Sequence, residues 1–145
     1  MNDELQTALL KHNVFIVWKP EYNLGVPIID EQHRGIVTII NSLGFSIQNE
    51  CIKNTLKPTV DMMESYAQIH FQTEEAFFDI LNYPYAEEHK KAHEGLAYKL
   101  GSTGASSVLH RDPHQLMGFL KDWWIGHICE EDMKYRDYLR QTIVL

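Results

Sequence analysis

Four stretches of the chain repeat apolar residues at three- and four-residue steps, the period of an amphipathic helix. Ile36, Ile40, Leu43 and Ile47 predict a first helix near 31–49, with Asp30 placed to cap it. Val60, Met63, Ala67, His70, Glu74, Phe77 and Leu81 predict a second near 58–81, opened by Lys57-Pro58. Tyr83-Pro84 precedes a third near 84–100, whose stripe is Ala86, His89, His93, Leu96 and Leu100 and which Gly101 and Gly104 are expected to stop. Asp112-Pro113 has the form of a fourth start, and Leu116, Leu120, Trp123 and His127 continue inward along 113–141. Ahead of these lies an irregular arm with an apolar run (Val14, Phe15, Ile16, Val17, Trp18) and breakers at Pro20, Gly25 and Pro27, expected to wrap the core. Four amphipathic helices with short connections predict an all-α fold, an antiparallel up-down four-helix bundle. The expected division is an N-terminal arm over 1–29, the bundle over 30–141 and a tail over 142–145.

Composition narrows the class. A length of 145 residues, 44% hydrophobic and 23% charged, is that of one ordinary globular domain. Thirteen Lys and Arg against twenty Asp and Glu leave a net charge of −7, which repels phosphate backbones and anionic lipid, so nucleic acid is not an expected partner. No stretch reaches the roughly 18 apolar residues of a membrane helix, and Met1-Asn2-Asp3-Glu4 lacks the basic start of a signal peptide. A cytoplasmic protein without membrane contact is the expectation. Cys51 and Cys129 are too few for a disulfide scaffold or a thiolate metal site. Eight histidines are the oddity.

Those histidines fall where apolar residues belong. His70 and Glu74, His89 and His93, and His127 stand on inner stripes, and His33 stands one step before the first. A lone inward histidine is ordinarily a hydrogen-bonded core group, a reading that suffices for His33 alone. It does not suffice for His70-x-x-x-Glu74 and His89-x-x-x-His93, because i, i+4 spacing sets both members of each pair on one face, ready to converge on one ion. Imidazole and carboxylate without thiolate suit Fe, Zn, Mn or Cu. A mononuclear site would use three or four of these groups and strand the others, whereas two ions bridged by carboxylates use them all, which predicts a dinuclear centre. On the fourth helix Glu130, Glu131 and Asp132 are consecutive. Regular helical geometry favours Glu130 or Glu131, at i+3 and i+4 from His127; Asp132, at i+5, needs a local π-type turn. Periodicity leaves that choice open.

The segments Gly25-Val26-Pro27-Ile28-Ile29-Asp30-Glu31-Gln32-His33, His70-Phe71-Gln72-Thr73-Glu74-Glu75, Tyr83-Pro84 with His89 and His93, and His127-Ile128-Cys129-Glu130-Glu131-Asp132 resemble the hemerythrin family, in its bacterial branch, from Trp18 to about Tyr138. The resemblance implies two irons, one held by His89, His93 and His127, the other by His33 and His70. Glu74 and Asp132 would bridge them together with an oxo or hydroxo group, which selects Asp132. It also implies that dioxygen, the partner, binds reversibly at the open position on the two-histidine iron, each iron giving one electron. Reversibility requires that water be excluded, and Ile36, Phe71, Trp123 and Trp124 are the candidate oxygen pocket. Here the chain departs from the family pattern. Trp123-Trp124-Ile125-Gly126-His127 has a second tryptophan where an aliphatic residue is usual and a glycine where Asn is usual, and the extra ring is expected to narrow the pocket or its access.

Other polar groups keep plainer roles. His110 and His114 are expected to be a solvated surface pair, His12 has no partner at ligand spacing, and Cys129 reads as a small core residue. Glu75, Glu87, Glu88, Glu130 and Glu131 read as a solvated acidic face. Oxygen carriage, storage or delivery by a protein that is not an enzyme is the first functional expectation. An oxygen- or redox-sensing input domain for a signalling partner shares the same ligand set, and the apolar end Thr142-Ile143-Val144-Leu145 bears on the choice. A ferritin-like di-iron oxidase is disfavoured, because no Glu-x-x-His occurs.

Overall fold

A computed structural model describes residues 15–142. Helix α1 spans Pro27–Gln48, α2 Ile52–Leu81 and α3 Ala86–His110; the fourth rod is α4, His114–Asp122, then a π-helical segment, Trp123–Glu131, then α5, Asp132–Thr142. A single 3-10 turn, Pro20–Tyr22, lies in the arm. Rods adjacent in sequence pack side by side and the fourth closes onto the first, as short connections between antiparallel helices require. Among the described residues no helix is long and apolar enough to cross a membrane. His12 and residues 143–145 of the expected tail lie outside the described residues.

Several helix ends differ from the sequence expectation, each for a local reason. Helix α1 begins at Pro27, whose fixed φ suits a first helical position, so Asp30 sits inside the first turn rather than capping it. Its carboxylate instead accepts the backbone N–H groups of Leu24 at 2.7 Å and Gly25 at 3.2 Å, tying down a turn in which Gly25 has φ +92°. Helix α2 begins six residues before Pro58, which is carried inside it. Thr55 and Thr59 donate their hydroxyls to the carbonyls of Cys51 and Thr55 around that point. Helix α3 runs straight through Gly101 and Gly104 and ends only at Arg111, in the left-handed conformation with φ 52°.

Gly104 has a packing reason to be there. A Cβ at this position would lie 2.7 Å from Cγ1 of buried Val60, so α2 and α3 approach through the missing side chain. The arm is held by Asn41, whose Oδ1 accepts the N–H groups of Phe15 and Ile16 and whose Nδ2 donates to the Ile16 carbonyl. Trp18 and Tyr22 then pack on Trp124, at 6.0 and 5.2 Å between ring centroids.

Two apolar clusters fill the bundle. One contains Ile36, Ile40, Val60, Met63, Phe71, Leu100, Leu120, Trp123 and Ile128; the other contains Leu24, Ile29, Phe78, Tyr83, Tyr135 and Leu139. On α1 His33 falls between Ile29 and Ile36, and on the fourth rod Asp132 falls between Ile128 and Tyr135, so a polar layer separates the clusters.

Gly101 and Gly104 of α3 make opposite demands. Nothing lies within 4 Å of a Cβ at Gly101, so Gly101→Ala is expected to stabilise the fold by about 0.5–1 kcal/mol. Gly104→Ala gains the same helical preference but overpacks against Val60 at about 1–3 kcal/mol, and a denaturant melt should rank it below the unaltered chain.

Candidate metal centre

The polar layer is assembled from all four rods. His33 comes from α1, His70 and Glu74 from α2, His89 and His93 from α3, and His127 and Asp132 from the fourth. All seven are buried, with His33, His70, Glu74 and Asp132 at 0% exposure. Their ligand atoms fall into two groups, each with its members within 4.8 Å of one another: Glu74, His89, His93, His127 and Asp132 in one, His33, His70, Glu74 and Asp132 in the other. The two carboxylates belong to both.

Each carboxylate divides its oxygens between the groups. Glu74 Oε1 lies 2.9 Å from His89 Nε2 and 3.0 Å from His93 Nε2, while Oε2 lies 3.5 Å from His70 Nε2 and 3.9 Å from His33 Nε2. Asp132 Oδ1 lies 2.8 Å from His89 Nε2 and 3.1 Å from His127 Nε2, and Oδ2 lies 3.2 Å from His33 Nε2.

The choice that periodicity left open, with regular helical geometry favouring Glu130 or Glu131, falls to Asp132, and the backbone shows why. Trp123–Glu131 is π-helical, and the Asp132 N–H donates to the His127 carbonyl five residues back. That wider turn brings i and i+5 onto one face. Glu130 is left exposed, and Glu131 pairs with Lys134 at 2.9 Å.

The donor set fits a cation. In His70, Nδ1 lies 2.9 Å from Gln32 Oε1, and in His93, Nδ1 lies 2.9 Å from Glu75 Oε1. An amide oxygen and a carboxylate only accept, so both Nδ1 atoms carry the proton. In the neutral ring each Nε2 is then a bare lone pair, and each faces a carboxylate oxygen, which is repulsive unless a proton or a metal stands between them. Nε2 of His33, His70, His89 and His127, with both oxygens of Asp132, are buried without an aligned hydrogen bond despite these short distances. Orphans of this kind are rare and costly in a folded core, and a metal satisfies them together.

Protonation follows the same geometry. Burial lowers His70 to about 4. Burial and nearby Asp132 push Glu74 up, but the adjacent imidazoles of His89 and His93 prevail and bring it to about 2. Burial likewise works against the charge on Asp132, and His127, His33 and His89 hold it well below the ordinary carboxylate value. His89 is raised to about 9, because the carboxylates of Asp132 and Glu74 close to its Nε2 outweigh its burial. In the metal-free protein a proton on His89 thus occupies ground that a metal would take.

Three groups around the layer escaped the sequence reading. Gln32 carries no helical-face signal. Glu75 was expected on a solvated face, yet it meets His93 at 2.9 Å with its side chain 29% exposed. Tyr135 is buried and donates its hydroxyl to Glu74 Oε2 at 3.0 Å. The only sequence clues were that Gln32 and Glu75 adjoin His33 and Glu74.

The four expected pocket residues share one apolar cluster but not one position. Phe71 stacks on His93 at 4.1 Å and lies 5.5 Å from Trp123. Trp124 has its ring contacts with Trp18 and Tyr22, under the arm. His110 and His114 are exposed and outside both groups; Cys129 is half-buried beside the arm.

The sequence profile of the hemerythrin HHE cation binding domain matches residues 24–139. The chain belongs to the hemerythrin family. It is 30% identical to a bacteriohemerythrin of Pseudomonas aeruginosa over 88% of this chain and 84% of that protein. A bacteriohemerythrin of Stenotrophomonas maltophilia is 27% identical over 86% and 82% of the two chains. A hemerythrin from Sipunculus nudus is 31% identical over 85% and 92%. The hemerythrin match thus spans the polar layer and both clusters that enclose it.

Linkage gives the centre a pH signature. His89 is raised above its unfolded value of roughly 6.5, so in the metal-free chain its contribution to stability is complete below that pH. Stability should therefore fall between about pH 6.5 and 9 in denaturant melts of the metal-free chain. Metal displaces that proton, and the loaded chain should lose much less over the same window.

Proposed function

We propose that this chain binds two iron ions in its polar layer and through them binds dioxygen reversibly, as a carrier, store or delivery protein. The observation that carries the reading is the division of both carboxylates between the groups: Glu74 turns one oxygen to His89 and His93 and the other to His70 and His33, and Asp132 turns one to His89 and His127 and the other to His33. Glu74 and Asp132 would bridge the ions, together with an oxo or hydroxo group from solvent. His89, His93 and His127 would hold one, His33 and His70 the other. Bound as a ferrous pair, the metal supplies one electron from each ion to dioxygen and takes both back on release.

The protein's own part is placement and exclusion. Three imidazoles would hold one ion, and the two on the other side would leave room there for a small ligand. Ile36, Phe71 and Trp123 wall the layer with apolar surface and keep out water that would make the oxidation irreversible. Trp124 backs that wall from the arm side, so its expected effect on oxygen entry passes through the seating of Trp18 and Tyr22. The free thiols of Cys51 and Cys129 suit a reducing compartment, which favours the cytoplasm. The sensing alternative leans on the apolar end of the chain, which beyond Thr142 lies outside the described residues, and no described feature favours it.

Iron content and visible spectra test the reading. About two irons per chain are expected, with a charge-transfer band that appears when oxygen meets the reduced protein and vanishes under vacuum. One-way oxidation would replace reversible binding with a redox role. Glu74→Ala should lose most of the iron, and retention of both ions would remove the bridging assignment.

A further inference from the structure

We propose that the chain makes its two irons electronically unequal through the groups behind two imidazoles: Glu75, behind His93, makes the three-histidine iron the easier one to oxidise. The inference rests on the di-iron reading and deepens it.

The asymmetry is built into the hydrogen bonds. Behind His93 stands a carboxylate, Oε1 of Glu75 at 2.9 Å from Nδ1. Among the described residues Glu75 has no ion-pair partner besides His93; Lys90, on the neighbouring helix, is engaged by Asp79 at 3.0 Å and lies 3.9 Å from Glu87. Behind His70 stands a neutral amide whose orientation is forced. Thr73 donates its hydroxyl to the Ile69 carbonyl at 2.8 Å, so its oxygen accepts from Gln32 Nε2 at 3.1 Å, which turns Gln32 Oε1 to His70 Nδ1 at 2.9 Å. The remaining imidazole of that group, His33, has a buried Nδ1 with no hydrogen bond. An anion therefore backs the three-histidine position, and the two-histidine position has none.

That difference bears on the electrons. An imidazole whose N–H donates to a carboxylate is the stronger donor through its other nitrogen, because the charge-assisted bond pushes electron density into the ring. A stronger donor favours the ferric ion over the ferrous one. Glu75 is 29% exposed on its outer side, but His93, which stands between it and the metal position, is 2% exposed, so the ring rather than water carries the carboxylate's influence inward. The first electron removed from the ferrous pair then comes from the three-histidine iron, while the open position stays on an iron that keeps its own electron. Glu75 and Gln32 are positioning residues in this account; neither belongs to the two groups of converging donors.

The test is a titration of the iron-loaded, reduced full chain with ferricyanide, which takes one electron at a time and is itself reduced to ferrocyanide. Electron paramagnetic resonance measures the mixed-valence population after one electron per chain has left. The unaltered chain should accumulate it as the main species. Glu75→Gln should shift the first midpoint potential to a more positive value and lower the mixed-valence yield several-fold, and Glu75→Asp should restore both. Gln32→Glu should also lower the yield, by raising the donor strength of the other side, and it decides the matter alone if Glu75→Gln fails to load iron. Unchanged potentials and yield in variants that hold two irons would overturn the inference and leave the di-iron reading intact. Fewer than two irons in the unaltered chain would overturn both.

Discussion

Five imidazoles and two carboxylates buried at the centre of a small bundle are the constraint on which the rest of the structure depends. Two carboxylates at 0% exposure cannot be carried in a core without compensating positive charge. A proton on His89 supplies part of that charge in the metal-free chain, and two cations would supply more than enough of it. The bundle gives one or two polar side chains from each rod to a single layer, and among the described residues no strand or disulfide holds that layer in place. Its two apolar clusters lie on either side and fix the spacing of the rods.

Local backbone devices adjust that spacing. The π segment on the fourth rod inserts one residue's worth of rotation, so His127 and Asp132 face the layer together while Glu130 stays in solvent. A π turn is poorer in hydrogen-bond geometry than an α turn, and such turns persist mostly at functional sites. Its placement between the sixth and seventh converging donors accounts for this one. Gly104 and Asp30 serve more modestly, the first by letting α2 and α3 approach and the second by pinning the turn that leads into α1.

Around the layer the hydrogen bonds run outward in a definite order. Gln32 and Glu75 set the ring orientation of His70 and His93 and leave Nε2 of each free to bind, and Tyr135 holds the Glu74 oxygen on the two-histidine side. Phe71 lies flat on His93, and the two rings line the floor of the groove between α2 and α3. A site arranged in this way owes its reactivity as much to what lies behind the donors as to the donors themselves.

By itself the sequence determined the helical rods, their inward faces and the identity of six of the seven converging side chains. Helical periodicity is local, and a histidine on an apolar stripe is visible within a few residues of itself, as His70 with Glu74 and His89 with His93 show. Asp132 came only from the family resemblance, because a regular helix points it elsewhere. The tertiary structure alone decided the rest: that Gln32 on α1 meets His70 on α2, that Glu75 turns from solvent toward His93, that Trp124 packs under the arm, and that Gly101, Gly104 and Pro58 lie inside helices rather than at their ends. Periodicity says which face of a helix turns inward; which group waits across the gap depends on how far neighbouring rods rotate and slide, and packing between distant parts of the chain sets that.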